Sequence, residues 1–180
     1  MGGVFTAEGS LALAISALVV VLGWRFTLPA RGRDLGGLAV YVLALGVTYA
    51  AAYGLLPRSG AVEAPPAARL VGGALMILGL ALAGGAYRAR LQAGRGHLTR
   101  GGPYARIRQP LHLGLALVLL GHLLRLPSSV GLLATAVGLA SQALTAAAEE
   151  REAAAAFGAE WETYARRTRA VLPRRGRTSR

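Results

Sequence analysis

The chain has 180 residues, 54% of them hydrophobic and only 16% charged, against about a quarter charged in an average soluble domain; the deficit points to lipid, and the length suits one compact unit. All 20 basic residues are arginine, the formal net charge is +12, and these arginines stand at the ends of apolar runs, as in membrane proteins. No RNA- or DNA-binding motif accompanies the charge, which argues against nucleic acid as a partner, and the absence of cysteine excludes a disulfide frame, a thiolate nucleophile and a cysteine-based zinc site.

In chain order, Gly9 to Trp24 is an uncharged run, extended by Phe26 to Leu28 around Arg25, and reads as a first membrane span. Glu8 and the lack of a basic n-region argue against a cleavable leader. Arg31 and Arg33 follow. Leu35 to Leu56 is a second span, ended by Pro57, and the linker from Arg58 to Arg69 contains Pro65-Pro66. Leu70 to Tyr87 is a third span in which Gly72, Gly79, Ala83 and Ala86 fall on one helical face, a row of small residues that lets another helix approach closely. Leu111 to Leu124 is a short fourth span, about 21 Å long at helical rise, which begins at Pro110, since proline suits the first helical position. The turn Leu126-Pro127-Ser128-Ser129 forces a hairpin into a fifth span, Val130 to Ala148. Acidic residues are disfavoured at a helix C-terminus, so Glu149-Glu150 predict that this helix runs on through Ala156 until Phe157-Gly158 breaks it. A short helix with Trp161 and Tyr164 comes next; these two and Phe157 share a stripe. That stripe suits a membrane surface, a filled core or a lid over a ligand.

Arginine alternates by loop. It is poor before the first span, rich after it, poor after the second, rich after the third, poor after the fourth and rich at the end. The positive-inside rule then places the N-terminus outside and the C-terminus in the cytoplasm of an all-α polytopic membrane protein with about five spans and a C-terminal helix. The organisation is residues 1–69 as N-terminal spans, 70–173 as a membrane core, and 174–180 as a basic tail able to touch anionic lipid.

Chemistry concentrates between the third and fourth spans, in Arg88, Arg90, Arg95, Arg100, Arg106 and Arg108, and in the stretch HLTRGGPYARIRQPLHLG from His97 to Gly114. Its order of Gly102-Pro103-Tyr104, Arg108-x-Pro110 and Gly114 resembles the GPY-xxx-RHP-xY-xG signature of the isoprenylcysteine carboxyl methyltransferase and phospholipid methyltransferase superfamily. The tail, with Glu149-Glu150, Phe157-Gly158, Trp161, Tyr164 and Pro173, is similar to that superfamily's acidic pair, FG-x-x-(Y/W)-x-x-Y and basic segment. The resemblance covers His97 to Pro173. Gln109 stands where the family usually has histidine, His112 where it has tyrosine, and Ala146 to Ala148 replace an arginine often found before the acidic pair.

The resemblance implies S-adenosylmethionine as cofactor, methyl transfer as the reaction and a lipophilic acceptor reached from the membrane lipids. Catalytic roles are expected of Arg108, His112 and Glu150. Cofactor binding would fall to His97, Leu98, Gly102, Tyr104, Arg108, Gln109, Pro110, Glu149 and Glu150. The residue types suit this: Arg108 or Arg106 offers a cation to a carboxylate, Glu149 or Glu150 an anion to an amine, and Tyr104 and Trp161 apolar walls for adenine. A carboxylate acceptor needs no general base; an amine or thiol would draw on His97 or His112. His112 and His122, ten positions apart, do not share a helical face, and His122 reads as an interfacial residue outside any metal cluster. Sterol-reductase-type enzymes that use NADPH carry a similar tail and arginine-x-proline loop, but their loop reads RHPNY and does not follow GPY. A silent relative that binds only lipid is the other alternative.

Overall fold

The computed structural model describes residues 62–170 except Arg95. The first two predicted spans, the arginines between them, Pro173 and the basic tail lie outside the described residues. Within them the secondary structure is helical, with no strand beyond one isolated bridge between Ile107 and Arg169. Helix α1 spans Pro66–Ala93, a 3₁₀ turn spans Gly102–Ala105, α2 spans Pro110–Arg125, α3 spans Ser129–Phe157 and α4 spans Ala159–Arg167.

Two of these helices, α1 with 28 residues and α3 with 29, are long and apolar enough to cross a membrane. At helical rise each is more than about 40 Å long, against a hydrocarbon core of about 30 Å. Both therefore overrun the third and fifth predicted spans. Alpha-helix is what such runs must form in lipid, because it satisfies every backbone N–H and C=O within one segment. Helix α2, with 16 residues, begins at Pro110, whose missing N–H costs nothing at a helix start.

The row of small residues on α1 is the face that packs. Gly72, Met76, Gly79, Ala83, Ala86 and Ala89 are its buried residues. Glycines of α1 lie against glycines of α2 in antiparallel register. A Cβ on Gly79 would stand 2.5 Å from the Gly114 carbonyl oxygen, and one on Gly114 2.6 Å from the Gly79 carbonyl oxygen. Gly72 and Gly121 are matched in the same way farther along. Gly114, part of the family-like signature, thus serves a close approach of two backbones. His122 follows Gly121 and is fully buried. The expectation of an interfacial residue missed this, because the close glycine crossing draws that part of α2 inside the bundle.

Ser128 starts α3, its Oγ accepting the Gly131 N–H at 2.9 Å, a helix cap that satisfies one orphan donor. The Val62 N–H bonds the Pro127 carbonyl oxygen at 3.0 Å, tying the entry of α1 to this turn. Helix α3 runs unbroken past Glu149-Glu150 to Phe157. It stops at Gly158, whose φ of 49° belongs to the left-handed region that side chains resist. Helix α4 starts from that same glycine. The hairpin sends the C-terminal ends of α1 and α3, the start of α2, the 3₁₀ turn and α4 to one end of the bundle.

Candidate functional site

The overhanging turns of α1 and α3 put charge at this end. Glu149 on α3 is clamped from two sides. Its Oε2 accepts Arg90 Nη2 of α1 at 2.9 Å, and its Oε1 lies 3.3 Å from His112 Nε2 of α2. The other ring nitrogen of His112, Nδ1, is 2.6 Å from Gln142 Oε1, two turns back along α3. Four polar side chains from three helices thus form one buried or half-buried chain, Arg90–Glu149–His112–Gln142. The Arg90 guanidinium also stands over the Tyr104 ring, 5.6 Å from its centroid, within cation–π range.

A second ion pair lies beside it. Arg108 Nε, at the end of the loop, is 3.2 Å from Glu150 Oε1 on α3. Adjacent glutamates point about 100° apart on a helix, so Glu149 turns inward to Arg90 and His112 while Glu150 serves the loop. Gln109 is buried, and its Nε2 donates to the Ala146 carbonyl oxygen at 3.3 Å.

The tail closes over the loop. Tyr164 donates its hydroxyl to the Tyr104 carbonyl oxygen at 2.8 Å. The Arg108 N–H bonds the Arg169 carbonyl oxygen at 2.7 Å, and the Arg169 N–H bonds the Arg106 carbonyl oxygen at 3.2 Å. Arg100 pairs with Glu160 on the exposed side. Trp161 and Tyr164 are buried, their rings 5.5 Å apart, so these two members of the aromatic stripe fill core space, Tyr164 against the loop. Burial raises the Tyr104 phenol above its ordinary value. It also pushes Tyr164 up to about 12, with the neighbouring Tyr104 adding to the effect. Both hydroxyls stay protonated at neutral pH. The Tyr104 hydroxyl oxygen is buried with no hydrogen-bond partner, a cost seldom left standing without use.

Of the residues singled out in the sequence, Tyr104, Arg108, Gln109, His112, Glu149 and Glu150 meet at this end. Pro110 is buried at the start of α2. Gly102 supplies the loop's backbone freedom, with φ of 57° close against Ala89. His97, exposed, and Leu98, half-buried, lie on the loop before the turn, and none of the contacts above involves them. Two residues of the cluster were not anticipated. Arg90 read as one interfacial arginine among six, yet it extends the row of Ala83 and Ala86 by a further four positions. Gln142 lies seven residues before Glu149 and so on the same helical face. Periodicity carried both signals. Comparison with protein-family models, with curated proteins and with solved structures finds no match.

Proposed function

We propose that the chain is an integral-membrane, S-adenosylmethionine-dependent methyltransferase acting on a lipidic or apolar acceptor. Its site would sit at the cytoplasmic membrane boundary of a protein with about five spans and an outside N-terminus. The observation that carries this reading is the Arg108–Glu150 ion pair, which joins the charged groups of two sequence motifs 42 positions apart. The donor set fits the cofactor's amino-acid end. A zwitterion set between the pair exchanges one ion pair for two, Arg108 to carboxylate and Glu150 to ammonium, with no net charge added. The unpartnered Tyr104 hydroxyl offers a further hydrogen bond in the same region. When bound, the cofactor supplies an electrophilic methyl group on sulfonium.

The protein's own part is chiefly positioning and exclusion of water. Arg108 and Glu150 orient the charged end, Tyr104 and the tail helix shield it, and His112 stands by on the Glu149 side to handle a proton. Exposed apolar side chains on α1 and α3, such as Leu78 and Leu144, suit direct contact with lipid, from which an apolar acceptor would enter between helices.

The test is adenosylmethionine titration of the purified full chain by calorimetry. Arg108→Ala and Glu150→Ala should each weaken binding by roughly 1.5–3 kcal/mol, the loss expected of a charged hydrogen bond. Arg69→Ala, at the opposite end, should leave it unchanged. Absence of binding by the parent chain overturns the proposal, and binding of NADPH in its place points to reductase chemistry.

A further inference from the structure

The tail brings more positive charge to the loop than the protein neutralises there. Past α4 the backbone turns extended at Thr168, and Arg169 then bonds on both sides of Ile107. Its N–H reaches the Arg106 carbonyl oxygen at 3.2 Å, and its own carbonyl oxygen accepts the Arg108 N–H at 2.7 Å. Arg106 and Arg169 are thus held side by side, with Arg167, the last residue of α4, two positions upstream; all three are exposed. The neighbouring carboxylates are already engaged, Glu149 by Arg90, Glu150 by Arg108, Glu160 by Arg100 and Glu162 by Arg166. Among the described residues, no carboxylate is within ion-pair distance of Arg106, Arg167 or Arg169. Residues 171–180 add Arg174, Arg175, Arg177 and Arg180 and no acidic residue.

Closing the tail on the loop therefore works against repulsion between like charges that lie within a screening length of one another. Two backbone bonds and the Tyr164 hydroxyl hold it shut. This end of the bundle also lies at headgroup depth. The uncharged part of α3 ends at Ala148, and α1 and α3, long and apolar enough to cross a membrane, both exceed the thickness of its hydrocarbon core. A guanidinium is charged at every physiological pH and presents a planar fork of donors that matches phosphate oxygens. Lipid phosphates are the anions most concentrated at that depth.

We propose that Arg106, Arg167 and Arg169 form a docking surface for the phosphate headgroup of an anionic phospholipid, whose binding holds the tail closed over the loop. An anion among the three guanidinium groups exchanges repulsion for attraction, and it favours the closed arrangement because only there are they together. The docking rests on α1 and α3 crossing the membrane, as read above, and not on methyl transfer.

The experiment is amide hydrogen exchange of the full chain in nanodiscs of phosphatidylcholine, with and without added phosphatidylglycerol. It is read at the Arg108 N–H, whose acceptor belongs to the tail, relative to the exposed Gly101 N–H of the same loop, so that the lower surface pH of anionic discs cancels. Phosphatidylglycerol should slow the exchange about fivefold, the attraction of one further basic residue to an anionic surface, and high salt should abolish the slowing. The triple variant Arg106→Gln, Arg167→Gln, Arg169→Gln should exchange more slowly than the parent in phosphatidylcholine, since its repulsion is gone, and should gain nothing from phosphatidylglycerol. Arg69→Gln, at the opposite end, should respond as the parent does. Equal exchange of the parent in the two kinds of disc overturns the proposal. So does a triple variant that still responds to phosphatidylglycerol, or equal slowing by inorganic phosphate in phosphatidylcholine discs, which assigns the surface to a soluble anion. A chain that does not enter the discs removes the membrane reading and the docking with it, an outcome distinct from all of these.

Discussion

Tyr164 of the last helix gives its hydroxyl to the carbonyl oxygen of Tyr104, 60 positions earlier, across 2.8 Å. This bond fastens the tail to the loop that carries Arg108. The burial that shields it pushes the Tyr164 phenol up to about 12. A phenol whose folded value exceeds the unfolded value of about 10 lends stability that is complete below pH 10 and lost as pH rises towards 12. An absorbance titration of tyrosinate should show one phenol ionising near 12, absent in Tyr164→Phe. A tyrosine profile unchanged by that substitution would refute the burial argument.

Arg90 and Glu149 form the innermost ion pair, both side chains less than a quarter exposed. Removing the guanidinium leaves a carboxylate with only His112 to face. Arg90→Ala should therefore cost about 1.5–3 kcal/mol of stability, measured by denaturant unfolding in detergent. Arg69→Ala breaks the outlying 3.8 Å pair with Glu63 and should cost less than about 1 kcal/mol, as exposed pairs do. Equal losses would mean that the inner cluster is not a distinct energetic unit.

The α1–α2 crossing predicts a contrast among glycines. Gly79→Ala and Gly114→Ala both drive a methyl into the opposing backbone, and each should cost about 1–3 kcal/mol despite the gain of up to about 1 kcal/mol in helix propensity. Gly84, on the same helix with open space around it, should accept alanine with no loss. Thermal unfolding of the three variants ranks them, and a destabilised Gly84→Ala would contradict the packing.

Topology can be tested at two exposed positions at opposite ends of the bundle, Ser129 at the start of α3 and Ala105 in the 3₁₀ turn. A cysteine at 129 should react with a membrane-impermeant reagent in intact cells. One at 105 should react only after permeabilisation. Labelling of both from outside would exclude the orientation inferred from the arginine loops.

The long apolar runs, the proline start of α2, the turn before α3 and the break at Gly158 were legible in the sequence. Each is a local effect: hydropathy over a window, a missing N–H, a cap, a backbone angle open to glycine. The row of small residues on α1 was legible too, since a helix fixes which positions share a face. The pairing of side chains was not. Gln109 stands where the family-like pattern has histidine and reads as a cofactor contact, yet here its amide meets the Ala146 carbonyl oxygen of α3. Glu149 and Glu150 are equivalent in the sequence, and only the 100° turn between them, set against two different neighbours, sends one to Arg90 and His112 and the other to Arg108. Arg90 itself is one arginine among six until α1 packs against α2. Sequence determines which segments must be helices and which faces are small or polar, because those follow from bonds and solvent within a few residues. Which charge meets which depends on helix rotation and crossing, set by how closely Gly79 lies against Gly114, and only the assembled bundle decides that.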